Sequence, residues 1–242
     1  MKLFFPGTKG EIEEQSPRHK YHSSLIIQYL NTSILIDLGE KYSNLLENKI
    51  SSLDALLITH AHPDHYLWTF EKNDRIEIPV YLTEVTLNYS KNKPLNTVII
   101  KDGKQFVIKD LKITPFNVIH SLRCPAVCFK IEGDKTVLYA PDILDTEQSK
   151  ENVFLGIDTL IADGSSIDIN LVRKRDDKLF GHAMIKTVVN WCRRYNIRQL
   201  IITHCGKQIV TADEKEVMNK IIQYTEFKID VQIAYDGFET EV

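Results

Sequence analysis

The chain has 242 residues, 43% of them hydrophobic, with four cysteines and a formal net charge of −3. That apolar share is enough for a sizeable core, and the charge excludes the basic field that a long nucleic-acid partner requires. No apolar run approaches the ~20 residues of a membrane span, the start lacks a signal-peptide core, and Cys124, Cys128, Cys192 and Cys205 form no paired C-x-x-C signature. The expectation is therefore a cytosolic protein with reduced thiols, no membrane association, and one domain over residues 1–242.

Lys2 to Phe5 reads as a first strand, ended by Pro6-Gly7. Ser24 to Tyr29 and Ser33 to Leu38 read as strands joined at Asn31-Thr32, followed by a short helix over Lys41 to Asn48. Ala55-Leu56-Leu57-Ile58 is short, branched and continuously apolar, which suits a buried strand. Directly after it comes Thr59-His60-Ala61-His62-Pro63-Asp64-His65. Pro63 cannot continue the strand and holds His62 extended, so these side chains share one tight loop. Solvated loops have no need of three imidazoles beside a carboxylate. A borderline-soft divalent metal does.

Arg75 to Leu82 and Asn96 to Ile100 look like strands around a helical turn at Thr83 to Tyr89. Phe106 to Ile108 and Leu111 to Val118 suit a hairpin about Lys109-Asp110, and Ala126 to Ile131 and Thr136 to Tyr139 suit another. Leu160 to Ala162 is a short buried strand, and Arg173 to Lys178 a charged loop. Helix Ala183 to Tyr195 carries Met184, Val188, Trp191 and Cys192 on one face. A strand at Leu200 to Ile202, an amphipathic helix at Ala212 to Tyr224 and a last strand at Val231 to Ala234 complete the chain. His120, Asp142, Asp163 and His204 each follow a strand, as His60 does. Strand ends along one rim are rigid, so residues distant in sequence can converge there. His19 and His22, beside Arg18 and Lys20, read either as groups that approach the cleft and bind substrate anions or as a solvated basic loop. Arg173-Lys174-Arg175 reads either as a rim of the cleft that steers phosphate or, as is usual for charge runs, as a solvated one.

His60, His62, Asp64 and His65 in H-x-H-x-D-H order, then His120, Asp142 in Tyr139-Ala140-Pro141-Asp142, and His204 in Thr203-His204-Cys205-Gly206 resemble the metallo-β-lactamase superfamily. The resemblance implies an α/β fold, the four-layer αββα sandwich, with metals in the cleft between two sheets. It implies that His60, His62 and His120 hold one divalent ion, that Asp64, His65 and His204 hold a second, and that Asp142 bridges both. Zinc is the expected metal, with manganese as the alternative.

Gly181-His182, Asp163 and Asp236-Gly237 are similar to the ribonuclease Z and cyclic-phosphate phosphodiesterase branch of that superfamily. Asp163 stands where the branch usually carries glutamate, and the long basic arm of tRNA-processing members is absent between Asp142 and Asp163. The activity so implied is hydrolysis of a small anionic phosphodiester or nucleotide by metal-activated water. Asp64 would accept a proton, and His182, oriented by Asp163, would serve the leaving oxygen. A thioester or lactone hydrolase and a ribonuclease are the alternatives. Relatives in the branch are often homodimers, and the resemblance extends that option to this chain.

Overall fold

Apolar runs too continuous for a half-exposed sheet fold into strands covered on both faces. The computed structural model describes every residue of 1–242 except 71, 74 and 227. In chain order it runs β1 (Lys2–Gly7), β2 (Ser24–Tyr29), β3 (Thr32–Ile36), α1 (Asn44–Ile50), β4 (Ala55–Leu57), β5 (Val80–Thr83), α2 (Glu84–Tyr89) and β6 (Thr97–Ile100). There follow β7 (Phe106–Ile108), β8 (Leu111–Ile119), β9 (Ala126–Glu132), β10 (Thr136–Ala140), β11 (Asp145–Thr146), α3 (Lys150–Phe154) and β12 (Thr159–Asp163). The last stretch carries β13 (Arg173–Arg175), β14 (Lys178–Phe180), α4 (Ile185–Tyr195), β15 (Gln199–Thr203), α5 (Lys207–Val210), α6 (Glu214–Thr225), β16 (Asp230–Ile233) and β17 (Phe238–Glu241).

One sheet has the strand order β17-β1-β2-β3-β4-β5-β6, and the other β11-β8-β9-β10-β12-β15-β16 with β7 beside β8. The two-residue period of each strand sorts its side chains between layers. Ile34, Ile36, Ala55 and Leu57 meet Tyr139, Ile161 and Ile201 in the layer between the sheets. Leu35, Leu56 and Ile58 point the other way, onto Leu46 and Ile50 of α1. On the second sheet, Leu138, Leu160 and Leu200 face outward onto Val153 of α3, Val188 and Cys192 of α4, and Ile221 of α6. The result is the expected αββα sandwich. Truncating a fully buried residue such as Leu57 to alanine costs about 2–5 kcal/mol in such a layer. Among the described residues no helix is long and apolar enough to cross a membrane.

Element boundaries moved where local chemistry outweighed the apolar pattern. Ser43 accepts from Leu46 N and starts α1 after the expected Lys41, and Asp213 caps Lys215 N and Glu216 N so that α6 begins at Glu214. Pro79 has no N–H to give a ladder, and the strand expected from Arg75 begins only at Val80. The charged segment expected as a loop is the hairpin β13–β14. Its two connecting residues, Asp176 and Asp177, both take positive φ (47° and 62°), as a primed two-residue turn requires. The strand at Asp230–Ile233 is not the last one. β17 follows it and pairs antiparallel with β1. His19 and His22 are not solvated either, being only 5% and 3% exposed.

Candidate metal centre

β4 lies parallel to β3 in one sheet, β10, β12 and β15 lie parallel to one another in the other, and the loops after them meet along one rim, with β8 delivering His120 to the same place. After β3, Asp37 takes a left-handed φ of 62° and turns a fully buried carboxylate under the loop that follows β4. Asp37 Oδ1 accepts from Thr59 N at 2.8 Å, and Asp37 Oδ2 accepts from His65 Nδ1 at 2.7 Å. That bond fixes the His65 tautomer and aims Nε2 into the cleft. Gly39 lets the loop close on itself, since a Cβ there would lie 2.2 Å from the carbonyl oxygen of Asp64.

Three imidazole nitrogens crowd one point. His60 Nε2 is 2.8 Å from His62 Nδ1, and His120 Nε2 is 3.3 Å from the same atom. The far nitrogens of two of these rings are engaged elsewhere. His60 Nδ1 lies 3.0 Å from Thr59 Oγ1, and His120 Nδ1 lies 3.2 Å from the Gly181 carbonyl oxygen. Beside this group, Asp64, His65 and His204 make a second. His204 Nε2 is 3.1 Å and His65 Nε2 3.2 Å from Asp64 Oδ2. Asp142 reaches towards both groups, at 2.7 Å from His65 Nε2, 3.4 Å from His204 Nε2 and 3.6 Å from His120 Nε2.

His204 is held from two directions. Its backbone takes a left-handed φ of 51°, and its Nδ1 lies 3.0 Å from Ser165 Oγ. Gly10 gives it room, because a Cβ there would come within 2.9 Å of His204 Cε1. Asp37 and His204, two of the non-glycine residues that take this backbone conformation, each carry strain on the order of 1 kcal/mol. Strain of that kind persists where surrounding contacts fix the conformation. His182 stands at the outer edge, with Nδ1 2.7 Å from Asp163 Oδ2 and 3.4 Å from Asp142 Oδ1. Asp163 is fully buried and also accepts from Ser165 N and Ile143 N.

Charge explains what these groups need. Burial alone would lower the pKa of His65, but Asp64, Asp37 and Asp142 raise it well above the ordinary histidine value. Burial likewise opposes, and Asp142, Asp163 and Asp64 overcome it, so that His204 is pushed up to about 10. His60 and His120, among other imidazoles, are lowered by burial, His120 to about 4. Buried carboxylates thus demand positive charge on one side, while neutral imidazole lone pairs face one another on the other. Cations satisfy both demands.

The donor set fits a metal pair on geometric grounds too. Ligands bound tetrahedrally at ~2.0–2.1 Å lie about 3.3 Å from one another, close to the nitrogen spacings here. His65 Nε2 and Asp142 Oδ2, although 2.7 Å apart, lie outside hydrogen-bond geometry, and neither has another hydrogen-bond partner among the described residues. His60–His62–His120, His60–His65–Asp142 and Asp64–His65–His204 each bring their ligand atoms within 4.8 Å.

All nine residues singled out from the sequence lie in this one cluster: His60, His62, Asp64, His65, His120, Asp142, Asp163, His182 and His204. Sequence reasoning passed over Asp37 and Ser165. Asp37 carried the same signal as the others, an acid directly after a buried strand. Ser165 carried none, since its role depends on the turn after β12. Cys124 and Cys205 are buried and free, as packing residues.

Residues 32–205 match the family described as the beta-lactamase superfamily domain. A UPF0173 protein of Pyrococcus furiosus is 27% identical over 127 residues, spanning 50% of this chain and 57% of that protein. Ribonuclease Z of Methanopyrus kandleri is 24% identical over 144 residues, spanning 54% of this chain and 50% of that enzyme. The chain thus spans about half the length of these curated relatives. A diphosphatase of the PhnP family has a similar fold, with a TM-score of 0.66 at 18% identity over 100% of this chain and 97% of that one.

Proposed function

Given that the chain belongs to the beta-lactamase superfamily, we propose that it is a metal-dependent hydrolase that cleaves a small phosphodiester at a dinuclear centre. His60, His62 and His120 would hold one ion, Asp64, His65 and His204 the other, and Asp142 would serve both. The observation that carries this reading is that these seven residues bring their ligand atoms within 4.8 Å of one another in three groups that overlap at His60 and His65. Imidazole-rich sites with carboxylate favour zinc, with manganese the alternative. When bound, such ions lower the pKa of water and neutralise charge that develops on a phosphoryl oxygen.

The chain's own residues supply the rest. Asp64 has a second carboxylate oxygen with which to accept a proton from the attacking water. His182 is fixed through Nδ1 by Asp163, which leaves Nε2 to the cavity that His182 lines. Burial would lower the pKa of His182, but Asp163 and Asp142 raise it, so its protonated form persists above the ordinary histidine value. A proton held at Nε2 beside the cleft suits donation to a leaving oxygen. Phosphorus rather than carbon as the electrophile is supported by the sequence similarity to a ribonuclease Z.

The test pairs metal analysis with a substrate panel. Protein purified after growth with zinc should carry close to two equivalents. It should hydrolyse bis(p-nitrophenyl) phosphate in preference to a thioester and a lactone, and His60→Ala and Asp142→Ala should lose both metal and rate. Preferential turnover of the thioester or lactone would overturn the phosphodiester reading, and fewer than one equivalent of metal would overturn the centre itself.

A further inference from the structure

The cleft beside His62, His120 and His182 is walled on its outer side by three arginines. Arg123, Arg173 and Arg175 line the same cavity of about 370 Å³ as these histidines, a size at the lower end of small-molecule sites. The whole chain carries a net charge of −3, so this concentration of positive charge is local. No ion pair joins Arg123 or Arg173 to any described residue, and the Arg175 contact to Asp176 is long, at 3.8 Å. Exposed arginines usually find a carboxylate or spread into solvent. Here they gather at the mouth of a reaction site.

The hairpin that carries two of them is built to hold them there. β13 and β14 pair Arg173 with Phe180, Lys174 with Leu179 and Arg175 with Lys178. Alternation along β13 puts Arg173 and Arg175 on one face and Lys174 on the other. Lys174 is occupied on its own side, 2.7 Å from Asp177. The base of the hairpin is tied to the centre itself, because Gly181 N donates to the His120 carbonyl oxygen at 2.7 Å and the Gly181 carbonyl oxygen lies 3.2 Å from His120 Nδ1. The arginine face is thus referenced to the reacting groups by backbone contacts.

We propose that Arg123, Arg173 and Arg175 form a second anion subsite, and that the natural substrate carries a phosphate monoester besides the diester that is cleaved. This rests on the phosphodiesterase reading above. Guanidinium forks bind phosphate oxygens in pairs and stay charged at every physiological pH. A dianionic terminal phosphate would satisfy arginines that lack protein partners. It would also orient the diester towards His182 through a part of the substrate that does not react.

A matched pair of chromogenic diesters tests this: thymidine 5′-(p-nitrophenyl phosphate) with and without a 3′-phosphate. The metal-loaded wild type should favour the 3′-phosphorylated ester in kcat/KM by roughly tenfold or more, mostly through KM. That ratio should fall towards one in Arg173→Gln/Arg175→Gln and in Arg123→Gln, and persist in Lys174→Gln. Equal use of both esters by the wild type, or a preference that survives the arginine variants, would overturn the subsite while leaving the phosphodiesterase reading in place. If neither ester is cleaved, that reading fails and calorimetric binding decides the subsite. Tighter binding of thymidine 3′,5′-bisphosphate than of thymidine 5′-monophosphate, lost in the arginine variants, supports it, and equal binding overturns it.

Discussion

His182 Nδ1 and Asp163 Oδ2 lie 2.7 Å apart, and this contact sets which nitrogen of His182 meets the cleft. Asparagine at position 163 keeps the size of the side chain but removes the charge that holds the imidazole protonated. The proposed role predicts that Asp163→Asn lowers kcat by roughly 10²-fold with little change in KM. Metal content should stay near that of the wild type. Loss of metal on substitution would mean that Asp163 acts by shaping the centre through Ser165 and His204.

Asp37 offers a cleaner separation of ligand from support. It touches no proposed metal position, yet it accepts from His65 Nδ1 and Thr59 N. Asparagine tolerates the left-handed backbone at this position, so Asp37→Asn removes charge without new strain. Metal affinity should fall by about 10–100-fold, read by competition with a chromogenic chelator. An unchanged affinity would show that Asp37 serves packing alone.

Much of this centre was visible in the sequence because strand ends are legible there. A buried strand shows as a continuous apolar run, and a histidine or acid that follows it is marked by contrast. His60, His120, Asp142 and His204 were found that way, and Asp37 could have been. The β13–β14 hairpin was not legible. Its strands are short and charged, and its turn is Asp176-Asp177 without the glycine that usually marks a primed turn. Pairing of β17 with β1 was hidden for a different reason, since Phe238–Glu241 alternates too briefly to register and its partner lies at the far end of the chain. Burial of His19 was equally unreadable, because its partner Thr8 is itself held by Asp236, from the far end of the chain.

His19 gives a prediction for pH. Its Nδ1 is 2.8 Å from Thr8 Oγ1, whose hydroxyl donates to Asp236. Burial, with Arg18 nearby adding to it, lowers its pKa to about 4. The unfolded chain takes up this proton near pH 6.5 and the folded one only near pH 4. Its contribution is therefore full above pH 6.5 and is lost as the pH falls towards 4, by up to about 3 kcal/mol. Replacing His19 with asparagine, which can still bond Thr8, should flatten the fall of denaturant stability across that window relative to wild type. Parallel curves for the two proteins would remove His19 as the source.

Close approach of two backbones gives a stability test that substitutes none of the proposed ligands. A methyl group at Gly39 would meet the Asp64 carbonyl carbon and oxygen at 2.4 and 2.2 Å. Gly39→Ala should cost about 2 kcal/mol or more and lower the melting temperature by several degrees, with weaker metal retention because Asp64 moves. Wild-type melting and metal content together would show that the loop relaxes without strain.

The loop after β4 belongs to one sheet, whereas His120, Asp142, Asp163 and His204 belong to the other. Neither half alone offers a complete claw for an ion, so metal capture would report that the halves have docked. A nascent chain stalled before β15 would carry His60, His62 and His120 but lack His204, the last imidazole of the second group. Completion of the second group would then wait until β15 pairs with β12 and brings His204 to the seam between the sheets.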